Sequence, residues 1–79
     1  MSSDRHIIGR GLLSFIARKG GSMRMRDLHT YSLVMYRAGH QVFSAVMEGL
    51  VDATYVTFDQ ADSTFHLTEK GQQLVDADE

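Results

Sequence analysis

Apolar residues change their spacing once along this chain, and that change limits what it can fold into. Up to Val51 they recur at helical intervals. From Thr54 to Thr68 they fall into two β-branched and aromatic runs, Thr54-Tyr55-Val56-Thr57-Phe58 and Thr64-Phe65-His66-Leu67-Thr68. The residues between them, Asp59-Gln60-Ala61-Asp62-Ser63, have turn chemistry, so the stretch predicts a β-hairpin with strands at 54–58 and 64–68. Alternation then puts Val56 and Phe58 on one inward face with Phe65 and Leu67. Helices followed by a hairpin make an α+β domain.

The helical part resolves into three segments. The first runs over about 4–19: Ile8, Leu12, Phe15 and Ile16 recur at helical spacing, and Ile7 and Leu13 widen the stripe. Ser3 or Asp4 is placed to cap its start, Arg18 and Lys19 suit its negative end, and Gly20-Gly21 stop it. Gly9 and Gly11 weaken it but permit close approach of a neighbour. Ser22-Met23-Arg24-Met25 alternates and predicts a short edge strand. A second helix is expected over about 26–36, with Leu28, Tyr31 and Met35 facing inward and Leu33 and Val34 left outside. The third, over about 39–52, has Val42, Val46 and Leu50 in one stripe with Phe43, Met47 and Val51 beside it. Gln41, Ser44, Ala45, Glu48 and Asp52 are its outward positions. Behind the hairpin, Thr68 caps a short helix over about 69–77, held by Leu74 and Val75 and frayed from Asp76 to Glu79.

Seventy-nine residues supply one core, so 1–79 is read as a single domain. With 43% apolar and 23% charged residues the chain has a globular composition rather than a disordered one. No apolar run approaches the ~18 residues of a membrane span, and the start, Met1 to His6, has no signal-peptide pattern. The absence of cysteine removes disulfides, thiolate metal sites and thiol nucleophiles together, and fits a cytoplasmic protein. His6, His29, His40 and His66 are scattered and none forms an i, i+4 pair, so no metal is expected. Ser14, Ser32 and Ser44 lie in no nucleophile elbow, Asp59 and Asp62 sit in an exposed loop, and Gly9-Arg10-Gly11 lies inside a helical stripe. An enzyme and a cofactor are therefore not expected.

The net charge of −2 conceals a polarity. Residues 1–37 carry Arg5, Arg10, Arg18, Lys19, Arg24, Arg26 and Arg37 against Asp4 and Asp27, a net of +5. Residues 38–79 carry Lys70 alone against eight acids, a net of −7. Either a polyanion-binding half stands beside a solvating one, or the two halves neutralise each other across the fold.

The element order, taken with three segments, resembles a winged helix-turn-helix domain. Leu12-Leu13-Ser14-Phe15-Ile16-Ala17-Arg18-Lys19-Gly20-Gly21 looks like the first helix of such domains. Val42-Phe43-Ser44-Ala45-Val46-Met47-Glu48-Gly49-Leu50-Val51 looks like their recognition helix. Phe65-His66-Leu67-Thr68-Glu69-Lys70-Gly71 is similar to the segment after the wing in many small bacterial and archaeal regulators, including multidrug-resistance-type and phenolic-acid-type repressors. The resemblance implies a DNA-binding transcriptional regulator of prokaryotic or viral type that occupies an operator as a homodimer. The third helix would lie in the major groove, the second would cross the backbone, and the hairpin tip would reach a phosphate or the minor groove. Double-stranded DNA would then meet Arg24, Arg26 and Arg37 at its phosphates and His40, Gln41 and Ser44 at its bases, with Gln41 suited to adenine. Gln41 is otherwise a solvated glutamine, and Arg24 and Arg26 a solvated face paired to the acidic half. The pattern is departed from at two places: the third helix holds no Lys or Arg, and the hairpin tip holds two aspartates. The alternative is a winged-helix protein-interaction module, an adaptor or small inhibitor of a nucleic-acid-binding complex. It would act through its acidic half with Asp59 and Asp62, or through Leu33 and Val34, without binding DNA. Five methionines and three tyrosines fill the core or provide adaptable contact surface.

Overall fold

The computed structural model describes residues 2–77, with side chains from Arg5 onward. The elements are α1 (Ser2–Arg18), β1 (Ser22–Arg24), α2 (Met25–Tyr36), α3 (His40–Asp52), β2 (Val56–Asp59), β3 (Thr64–Leu67) and α4 (Glu69–Ala77). This is an α+β domain of four helices and a three-stranded antiparallel sheet in the order β1-β3-β2. No helix among the described residues is long and apolar enough to cross a membrane. The first helix begins at Ser2, which puts Ser3 and Asp4 inside its first turn. Their side chains, and with them the expected cap, lie outside the described residues; of the fraying expected from Asp76, positions 78–79 lie outside them too, while Asp76 and Ala77 remain helical, with Asp76 accepting from the Gln72 side chain at 2.9 Å.

The core is built where the apolar stripes meet. Ile8, Leu12, Leu13 and Ile16 of α1 pack with Leu28, with Phe43, Val46, Met47 and Leu50 of α3, and with Val56, Phe65 and Val75. The hairpin register is the one alternation predicts: Val56 pairs with Leu67 and Phe58 with Phe65. β1 adds Met23 opposite Phe65. Met23, Phe65 and Phe58 thus form one inward row, and the Phe58 and Phe65 rings lie 4.8 Å apart. Two edge residues of the helical stripes are not core: Ile7 is 59% exposed and Val51 37%.

Local chemistry sets the element ends. After α1, Gly20 and Gly21 take φ of 92° and 98°, and the Gly21 amide donates back to the Ile16 carbonyl at 2.9 Å, which closes the helix. The Gly21 carbonyl then accepts from Leu67 at 2.7 Å and leads the chain into the sheet. After α3, Thr54 takes φ of 62° so that the Tyr55 amide reaches the Leu50 carbonyl at 2.9 Å. The β-branched Thr54 therefore ends a helix, and the strand expected from residue 54 starts at Val56. Thr68 caps α4 as expected: its Oγ1 accepts from the Gly71 amide at 3.1 Å. That hydroxyl also donates to the Thr54 carbonyl at 2.6 Å, tying the helix start to the end of α3. At Gly71 a Cβ would overlap the Tyr55 carbonyl oxygen, so the close approach of α4 requires glycine.

The second helix departs from its predicted face. Leu28 is buried and Tyr31 packs half-buried against the core, as expected, but Ser32 is fully buried and Met35 is 58% exposed. The cause is the turn that follows. Arg37 adopts φ 53°, ψ 31°, and the amides of Arg37 and Ala38 both donate to the Ser32 carbonyl. The Ser32 hydroxyl donates to the Ala38 carbonyl at 3.3 Å. Ser32 thereby clasps the 37–39 turn and keeps its own polar atoms satisfied. The phenol of Tyr36 occupies the space over Gly11 that a Cβ would fill.

Candidate functional site

The third helix follows Gly39, which carries no side chain to cap it. Its buried side is Phe43, Val46, Met47 and Leu50. Half a turn round the helix, Gln41, Glu48 and Asp52 are exposed along the opposite line, with half-buried Ala45 among them. Ser44, expected outward, is also half-buried, because it sits at the wall of a groove between α3 and the sheet. That groove has a volume of about 450 Å³. Phe43, Met47, Phe58 and Phe65 form its floor, and Met25 (40% exposed) and Val51 (37%) its open sides. Glu48 and Asp52 form its rim, and no lysine or arginine lines it. Lys70, the one cation in residues 38–79, is directed elsewhere: its ammonium donates to the Ala53 carbonyl at 2.8 Å and lies 4.9 Å from the Tyr55 ring centre. There it serves the carbonyl end of α3.

The cations expected to act together are divided. Arg24 and Arg26 stand at the start of α2, which is fastened to the hairpin by the Met25 amide donating to the Ser63 carbonyl at 2.7 Å. In the sheet Arg24 pairs with Thr64, and Thr64 pairs with Asp59. Arg24 and Asp59 are thus two strand spacings apart on one outward row, about 10 Å. Arg37 lies at the far end of α2, about 18 Å along its axis. It borders, with Arg5, a separate pocket of about 480 Å³ formed by Ile7, Ile8, Tyr36, Ala38 and Val42. The start of α3 instead gains a partner missed in the sequence: the His29 ring lies 5.9 Å from His40 and edge-on to Phe43 at 4.9 Å. His29 Nε2 is buried without a hydrogen-bond partner. His40 and Gln41 are exposed beside it.

At the hairpin tip Asp59 and Asp62 are exposed, and Asp59 Oδ1 accepts from the Ala61 amide at 2.9 Å. These two carboxylates and His66 each offer a ligand atom, all within 4.8 Å of one another. This is the donor set among the described residues that could close on a divalent cation. Its members are not spaced as an i, i+4 pair, since the hairpin turn is what assembles them. Leu33 (49%) and Val34 (72%) are exposed on α2, as expected, and Met35 joins them.

No protein-family model matches this chain, and no curated protein and no solved structure matches it.

Proposed function

We propose that this chain is a winged-helix module that binds a protein, receiving a basic, apolar-faced segment in the groove between α3 and the β2–β3 hairpin. The observation that carries this reading is the groove itself: an apolar floor rimmed by Glu48 and Asp52, with no cation among its lining residues. The winged-helix assignment is supported by the element order and by the short turn at 37–39 between α2 and α3. In the docking mode of that fold, DNA would lie along α3 and reach the hairpin tip. Glu48, Asp52, Asp59 and Asp62 would then oppose phosphates. Like charges about 6 Å apart cost about 1–3 kcal/mol per pair at effective dielectric constants between that of water and ~20. A lysine- or arginine-bearing polypeptide reverses the sign of each of those terms and also covers Val51 and Met25.

Operator occupancy by a homodimer is the second reading, and one observation favours it. His29 stands 5.9 Å from His40 at the uncapped start of α3, with Gln41 exposed beside it and Arg26 one turn before His29 on α2. A helix N-terminus of this kind suits a phosphate. Fluorescence anisotropy of a labelled duplex, titrated with the chain from low to physiological salt, tests the two. The protein-binding reading expects no saturable binding even at low salt. A negative slope of log affinity on log salt, made shallower by Arg24→Ala or Arg26→Ala, would overturn it in favour of DNA. Replacing Asp59 and Asp62 with asparagine is expected to weaken capture of a basic partner.

A further inference from the structure

We propose a second docking surface, a trough between the end of α1, β1 and α2, that takes an acidic amphipathic helix of a partner protein. Three facts carry it. First, Val34 and Met35 stand in solvent at 72% and 58% exposure, side by side with no neighbour covering them. Second, they border a trough of about 760 Å³ whose floor is Met23 and the Phe15–Tyr31 pair. Those two rings stack at 3.6 Å and 7°. Third, the trough carries a cationic rim. The Lys19 ammonium lies 5.3 Å from the centre of the Phe15 ring, which holds it beside the floor. Arg24 adds a second cation at the β1 wall, against Asp27 alone.

Apolar residues bordered by cations are met by a helix with an apolar stripe flanked by glutamates or aspartates. A two-fold second copy fits poorly, because it would bring together two patches of the same sign, each carrying Lys19 and Arg24. The acidic face of another copy is itself a groove rather than a ridge, so it does not enter the trough. A nucleic acid would satisfy the cations and leave Val34 and Met35 against phosphates.

The surface shares no lining residue with the α3–hairpin groove, so the two proposals fail separately. The test is an NMR titration of the isotopically labelled full chain with a synthetic helical peptide of about 15 residues, leucines at i, i+3, i+4 and i+7 and glutamates on both flanks. Shifts are expected at Phe15, Tyr31, Val34 and Met35. Val34→Asp, which replaces an exposed side chain and is checked for unchanged melting, is expected to weaken binding about tenfold or more. Lys19→Glu with Arg24→Glu is expected to reject the peptide and to accept a twin whose glutamates are lysines. Shifts confined to the α3–hairpin groove, or equal binding by parent and variants, would overturn the proposal. So would self-association of the parent that Val34→Asp abolishes, or displacement of the peptide by duplex DNA with shifts at the same residues.

Discussion

Helices α2 and α3 are separated by three residues, yet they place their apolar side chains in opposite ways. The third helix buries Phe43, Val46, Met47 and Leu50. The second buries Leu28 and Ser32 and leaves Leu33, Val34 and Met35 in solvent. One is held by side-chain packing. The other is held by a serine clasp, an aromatic stack on Phe15 and a backbone bond to Ser63. A helix that buries its large side chains is scaffold, and its polar face is free to carry charge; α3 presents Glu48 and Asp52 there. A helix anchored by one leucine, a stacked tyrosine and a serine clasp leaves its other large side chains for another surface. The two faces also differ in sign, with acids around the groove of α3 and cations around the trough of α2.

The largest expected effect separates the two modes of anchoring. Phe43→Ala should cost about 3–5 kcal/mol in urea denaturation, because it empties a packed site. Met35→Ala should stay within about 0.5 kcal/mol, because the side chain already stands in water. Similar costs for both would erase the contrast. Ser32→Ala sharpens it. The Ala38 carbonyl loses a donor, and a loss of about 1 kcal/mol is expected, read by the same denaturation. A neutral substitution would mean the hydroxyl does not hold the turn.

The smallest effect concerns the end of α2. Burial raises the Tyr36 pKa above the usual tyrosine value, the neighbouring Tyr31 raises it further, and Arg18 acts in the opposite direction. The neutral phenol is thus favoured in the fold. Its contribution to stability is complete below the ordinary tyrosine value of 10.0 and is lost as pH rises through the higher folded value. Ultraviolet titration of the three tyrosines should show one phenol ionising last, and Tyr36→Phe should remove that phase. Loss of an earlier phase would place the desolvated phenol elsewhere.

Much of the scaffold was legible because its signals are local. The α3 stripe follows its period, the Val56–Leu67 and Phe58–Phe65 pairs follow alternation, and Thr68 caps where a threonine ahead of a glutamate should. What escaped depends on contacts distant in sequence. Ser32 is buried because Ala38 folds back on it, and no spacing rule displays that. Thr54 has strand propensity but closes a helix in the left-handed region. The candidate site was legible residue by residue and not as an arrangement. Glu48, Asp52, Asp59 and Asp62 were visible as acids. That Glu48 and Asp52 flank an apolar groove follows only once the hairpin packs against α3, and so does the separation of Arg37 from Arg24 by the length of α2.

The most direct test of the acid-rimmed groove is an NMR titration of the labelled chain with a lysine-bearing amphipathic helical peptide. Shifts are predicted at Ser44, Glu48, Val51 and Phe58, with affinity falling as salt rises and falling about tenfold in the Glu48→Gln, Asp52→Asn variant. A peptide that leaves those four residues unmoved, or that binds the variant as tightly as the parent, would contradict the assignment of this face to a basic protein partner.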